Sequence, residues 1–169
     1  MNVIPLFEDL DHMLDAHNIT EKYISGKNLD YQRVFLARSD PAMNYGDLSA
    51  ILMNKIALYN LQELQERSGV EIFPIIGVGS APFRGDLKPD NVNEIMEEYP
   101  SVQTFTVQSA FKYDNSNEKV RSGIQQLNDS CKKNAHEIDQ QQAEDIITRC
   151  STSYRKRLVK LAPLICEVS

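Results

Sequence analysis

Two acids stand just behind apolar runs in this 169-residue chain. Glu8 closes the run VIPLF, and Asp40 follows VFLA by way of Arg38 and Ser39. If both runs are strands of one parallel sheet, both acids lie at its carboxyl edge, where α/β proteins bind ligands. Carboxylates from two strand ends can share a hard cation, and Mg²⁺ (or Mn²⁺) is commonly held by one or two carboxylates together with substrate and water. Arg84 sits in a Gly/Pro loop, GVGSAPFRG, whose glycine-flanked amides around Ser80 suit an anion. Gln108 and Lys112 follow a further apolar run. The set Glu8, Arg38, Ser39, Asp40, Ser80, Arg84, Gln108 and Lys112 therefore suits metal-assisted chemistry on a small phosphorylated or carboxylated molecule. Each member has a plainer alternative. Glu8 and Asp9 can be acids at a helix start, Asp40-Pro41 and Arg84-Gly85 can be turns, Gln108 can hold backbone groups, and Lys112 can be solvated.

The elements that must position these residues are legible from patterning. Strands are expected at Val3 to Phe7, Arg33 to Ala37, Glu71 to Val78 and Val102 to Val107. The near-continuous Ile72, Phe73, Ile75 and Ile76 mark a strand covered on both faces. Asp9 precedes a short helix, and Asn18-Ile19-Thr20-Glu21 has the pattern of a capping box that would start a second. Gly46-Asp47 introduces a helix to about Ser68, apolar on most of its circumference and stopped by Gly69. Val92, Ile95, Met96 and Tyr99 predict a helix ending before Pro100. Val120, Ile124, Leu127 and Cys131 form the stripe of another. Asp139 caps a last helix, with Ile146, Ile147, Cys150, Tyr154, Leu158 and Leu161 on one side, which Pro163 should end or kink before an apolar turn, Leu164-Ile165-Cys166. Cys131 and Cys150 read as small core residues.

The pattern is a single domain, 1–169, of four β-α units: 3–30, 31–69, 70–100 and 101–169. Strands separated by helices are parallel with right-handed crossovers. An open doubly wound sheet and part of a (β/α)8 barrel both fit. A whole barrel takes about 250 residues, so the chain is expected to form about half of a TIM barrel and to be a piece of a longer enzyme.

The chain has a net charge of -6 with 41% hydrophobic residues. An acidic chain lacks the basic stripe of a nucleic-acid surface, no apolar run approaches a membrane span, and MNVIPLFEDLDHML is not a secretory signal. These features predict a cytoplasmic protein. Three widely spaced cysteines give no disulfide framework, and three histidines without a CxxC or HxxxH pattern give no zinc site. GVGS lacks the GxGxxG dinucleotide fingerprint.

Four strings go beyond patterning. VIPLFED (3–9), FLARSDPAMNYG (35–46), PIIGVGSAPFRG (74–85) and TFTVQSAFKYD (104–114) together resemble phosphoenolpyruvate carboxylase, most nearly its short, archaeal-type branch. They run in the family's order and at compatible spacing. PLFE resembles PLFET of the longer branch, which implies Glu8 as a metal ligand. RSDPAMNYG resembles YSDSAKDAG, which implies Asp40 as the second. PFRG resembles the end of the RGGTxGRGG loop, which implies Arg84 as a catalytic arginine. TVQSAFKYD resembles the TEQGEMIRFKYG region, which places Gln108 in the site with Lys112 close behind. Met43, Val78 and Asp86 depart from the longer branch, standing where it has Lys, Arg and Gly.

The resemblance implies carboxylation of phosphoenolpyruvate by bicarbonate to oxaloacetate and phosphate, with Mg²⁺ (or Mn²⁺) between Glu8 and Asp40. Bicarbonate attacks the phosphoryl group, and carboxyphosphate and an enolate follow. Arg84 and Gln108 would be catalytic, with Arg38, Ser39, Ser80, Arg84 and Lys112 binding substrate. Neither the family's catalytic His-Pro segment nor its carboxyl-terminal tail occurs in these 169 residues, so the chain alone is expected to be inactive. Family members are usually homo-oligomers. An inactive binding or assembly fragment, and another Mg²⁺-dependent phosphoenolpyruvate or oxaloacetate barrel enzyme, are the alternatives.

Overall fold

The computed structural model describes residues 3–168. The chain is α/β. Its sheet has four parallel strands, β1 (Leu6–Phe7), β2 (Tyr31–Ala37), β3 (Glu71–Gly77) and β4 (Thr104–Phe105), in the order β1-β2-β3-β4. Consecutive strands are spatial neighbours throughout, so these four have no reversal of strand order, the feature that gives a doubly wound sheet its switch point. The register pairs Phe7 with Leu36 and Ala37 with Gly77, which brings the ends of β1, β2 and β3 to one edge.

The outer strands are shorter than expected. Pairing of β1 begins at Leu6, although Phe35 N–H still donates to the Pro5 carbonyl. Around β4 the flanking residues keep to β3 through Gln103 N to Pro74 O and Thr106 N to Ile76 O. The central strands carry the core. Val34, Leu36, Ile72 and Ile76 are buried against Met53, Ile56, Leu61 and Leu64 of α4 (Asp47–Ser68). Gly46 and Gly69 bound this helix as the sequence predicts, and both need positive φ (92° and 71°).

Several expectations are corrected. α1 (Leu10–Leu14) is capped by Asp9, which accepts from His12 N–H, and passes through Asp15 straight into α2 (Ala16–Ile24). Asn18 is therefore inside a helix and caps nothing; its side-chain amide donates to Asp15, while Thr20 is buried. The strand tips are themselves helical: α3 (Ser39–Tyr45) follows β2, and α6 (Ser109–Tyr113) follows β4. Pro41 is tolerated in α3 because the first turn has no hydrogen bond to lose. α5 (Val92–Glu98) ends before Pro100 as expected. α7 (Asn117–Asp129) is capped by Ser116 and stops before Cys131, which is exposed; Cys150 is only half-buried.

α8 (Gln140–Val168) starts at Asp139, which accepts from Gln142 N–H. Ala143, Ile147 and Ser151 are buried, and Tyr154 lies 3.3 Å from where a Cβ on Gly46 would be, at the α3–α4 junction. Beyond that point the helix leaves the body. Leu161 and Leu164 are exposed, and Pro163 sits inside the helix instead of ending it. The expected turn at Leu164 to Cys166 is helical; the side chain of Ile165 lies outside the described residues. No described helix is long and apolar enough to cross a membrane.

Candidate active site

Glu8 is the residue after β1, and Asp40 lies in the first turn of α3, three residues beyond the end of β2. Both are exposed, and among the described residues neither carboxylate enters a hydrogen bond or ion pair. Each is thus free to accept a ligand. No cluster of three or more metal-ligating side chains occurs among the described residues. Two free carboxylates at adjacent strand ends fit a cation that completes its shell with substrate and water, as Mg²⁺ does, and do not fit a closed all-protein cage. Ser39, half-buried, lies between Arg38 and Asp40.

The loop after β3 is cross-linked by its own backbone. Gly79 N–H donates to Arg84 O at 2.8 Å, Leu87 N–H to Gly79 O at 2.9 Å, and Asp86 N–H to Ala81 O at 3.1 Å. The Ser80 hydroxyl donates to the Leu87 carbonyl. A short 3-10 turn, Pro82–Arg84, presents Arg84. Its Nη1 donates to Gln108 Oε1 at 3.2 Å, joining the ends of β3 and β4. Asp86 has φ 57° and pairs with Lys88 at 2.6 Å. Lys112 is exposed on α6, 4.9 Å from the ring centroid of Tyr113.

Arg38 is placed differently from its neighbours. It is only 2% exposed. Nε donates to the Tyr99 hydroxyl at 3.3 Å, Nη1 to the Phe83 carbonyl at 3.1 Å and Nη2 to Asp47 Oδ1 at 2.8 Å. Burial disfavours its charge, but Tyr99 and Asp47 more than compensate and raise its pKa. Burial likewise raises the Tyr99 phenol, which is neutral at ordinary pH. Tyr99 reads from sequence as one more apolar contact of α5, and Asp47 as a helix-start acid; nothing in their spacing announces a common partner.

A cleft of about 250 Å³ lies beside β4 and the segment leading into it, floored by Met96, Tyr99, Val102 and Phe105. None of the sequence-derived site residues lines it.

A parallel sheet brings two free acids, a cross-linked glycine loop with an arginine, and an amide to successive strand ends, groups that suit a hard cation and an anion at the carboxyl edge of an α/β fold. The profile of the phosphoenolpyruvate carboxylase family matches residues 1–169, and the chain belongs to that family. It is 52% identical to the phosphoenolpyruvate carboxylase of Methanospirillum hungatei and 50% identical to that of Methanothermobacter thermautotrophicus, over the whole chain but 35% of each relative. Against the phosphoenolpyruvate carboxylase of Pyrococcus abyssi the identity is 42%, over 98% of this chain and 34% of that protein. The chain thus spans about a third of the length of the curated relatives it matches, in keeping with a segment of the archaeal-type branch.

Proposed function

We propose that this chain is the segment of a phosphoenolpyruvate carboxylase that carries the metal-binding acids and part of the anion site. The reaction is phosphoenolpyruvate plus bicarbonate to oxaloacetate and phosphate. The observation that carries the proposal is the pair Glu8 and Asp40, unpartnered among the described residues, at the ends of two strands in register. The unreversed order of the four parallel strands further supports about half of a (β/α)8 barrel. The full-length enzyme is proposed to be cytoplasmic and homo-oligomeric.

Glu8 and Asp40 would hold Mg²⁺ (or Mn²⁺), which supplies a Lewis acid for negative charge developing on the substrate. Arg84 would stabilise the negative charge of the phosphoryl group that bicarbonate attacks. Gln108 fixes the guanidinium in one orientation by accepting from it, which leaves the remaining N–H groups for the anion. Ser80 contributes indirectly, holding the loop closed. Lys112 adds a mobile positive charge at the rim, and Ser39 an adjacent hydroxyl.

Mn²⁺ binding followed by electron paramagnetic resonance tests this. The purified chain should bind Mn²⁺ more tightly with phosphoenolpyruvate present, and Glu8→Gln with Asp40→Asn should abolish the binding. Binding that survives the double substitution overturns the metal assignment. The chain alone should form no oxaloacetate; turnover that vanishes in Asp40→Ala would show that it is a sufficient enzyme.

A further inference from the structure

A charged side chain is stable in a protein interior only where its hydrogen bonds are met. Arg38 meets this condition with partners from three separate pieces of the chain. Tyr99 closes α5, Phe83 belongs to the 3-10 turn that ends in Arg84, and Asp47 opens α4. Arg38 directly follows β2 and stands two residues before Asp40. Its neighbourhood is shaped to admit it: a Cβ on Gly85 would lie 3.2 Å from Arg38 Cγ. The loop it grips is closed on itself by the bonds among Gly79, Ala81, Arg84, Asp86 and Leu87, so a hold on the Phe83 carbonyl is a hold on Arg84.

We propose that Arg38 is a positioning residue, a clasp that fixes the Arg84 loop against the strand end bearing Asp40, and that it does not itself contact substrate. The direct substrate-binding role expected from sequence would need free donors facing solvent, and the guanidinium instead faces Tyr99, Phe83 and Asp47. Lysine cannot replace it, because one ammonium cannot reach three acceptors in a fixed planar fork. The functional consequence rests on the proposed role of Arg84; the clasp itself does not.

Hydrogen exchange read by mass spectrometry separates the two. In Arg38→Met and Arg38→Lys the amides of 79–87 should exchange about tenfold faster, the change expected on losing a hydrogen bond to a charged group. The β3 amides should keep their parental rate. Asp47→Asn retains an acceptor oxygen and should protect the loop, whereas Asp47→Ala should not. Tyr99→Phe, which removes a single acceptor and is the least disruptive change, should give a smaller acceleration confined to the same peptide. Parental exchange of 79–87 in Arg38→Met, or equal acceleration of β3, overturns the clasp. Calorimetric titration with phosphoenolpyruvate and Mn²⁺ gives the second readout. If Arg84→Met weakens binding, Arg38→Met should weaken it by about tenfold as well, and parental affinity there overturns the positioning role. If Arg84→Met leaves binding unchanged, the proposed anion site fails, while the exchange rates still decide the clasp.

Discussion

A Cβ on Gly79 would lie 2.2 Å from Gln108 Oε1, the oxygen that accepts from Arg84 Nη1. Gly79 also donates its backbone N–H to the Arg84 carbonyl. One glycine therefore both ties down the backbone of the arginine and leaves room for the amide that aligns its side chain. Here glycine supplies space and not an unusual φ, and what a methyl group would displace is the end of a movable side chain.

Gly79→Ala should accordingly separate stability from binding. Gln108 can swing aside, so the loss of stability should stay below about 1 kcal/mol. Arg84 loses its alignment, and affinity for phosphoenolpyruvate with Mn²⁺ should fall by about tenfold. Thermal melting and calorimetry on the same protein check both halves. A large drop in melting temperature with parental affinity would contradict the account.

Gly85→Ala should cost more stability. Gly85 has φ 102°, and its Cβ would lie 2.7 Å from Cγ1 of the buried Val78. Backbone strain and overlap together should cost about 1–3 kcal/mol, or about 2–4 °C of melting temperature for each kcal/mol. An unchanged melting temperature would mean that the loop can re-form around the new methyl group.

How much of this could be read beforehand depended on the signal each residue carries. The β2–α4 and β3 elements were legible because continuous apolar runs and the two glycines at 46 and 69 act together. The edge strands were overextended because apolar residues such as Val102 stay buried without pairing as a strand. The short helices α3 and α6 went unseen because five to seven residues show no helical period. The Asn18 capping pattern misled because Asp9 had already begun the helical path nine residues earlier. Pro163 misled because residues around it are exposed, so no packed neighbour forces the chain to turn. Glu8 and Asp40 stand beside strand ends, as their position behind apolar runs led one to expect. The burial of Arg38 was not legible in the same way, since its partners Tyr99 and Phe83 come from distant parts of the chain and Asp47 from the start of α4.

The end of β2 is held from behind by Asn54 on α4. Its side-chain amide donates to the carbonyls of Ala37, at 3.1 Å, and Ala50, at 2.9 Å. Ala37 directly precedes Arg38, so this contact fixes the strand end from which the site departs. Asn54→Leu keeps the branched shape, though not the volume, and removes the donors, leaving a buried carbonyl unpaired. The cost should be about 1–3 kcal/mol, seen as a lower urea midpoint with unchanged slope. A neutral result would mean that the Ala37 carbonyl finds another donor.

Stability should also fall as the medium turns mildly acidic, through His17 on α2. Burial disfavours its charged form, Arg67 adds repulsion against the opposing pull of Asp15 and Glu21, and the net pKa lies below the ordinary 6.5. On lowering the pH, the unfolded chain therefore takes up a proton before the folded chain does. Stability consequently rises with pH across this window and is lost as pH falls through about 6.5, levelling off once the folded imidazole also protonates. Asp9 does not confuse the window. Its carboxyl is held below 3.8, chiefly by the hydrogen bond from His12 N–H, so its contribution disappears only at much lower pH. His17→Phe keeps an aromatic ring and removes the titration. Urea midpoints measured from about pH 7.5 to 5 should decline in the parent chain and decline less in His17→Phe. Parallel curves for the two proteins would rule His17 out as the source.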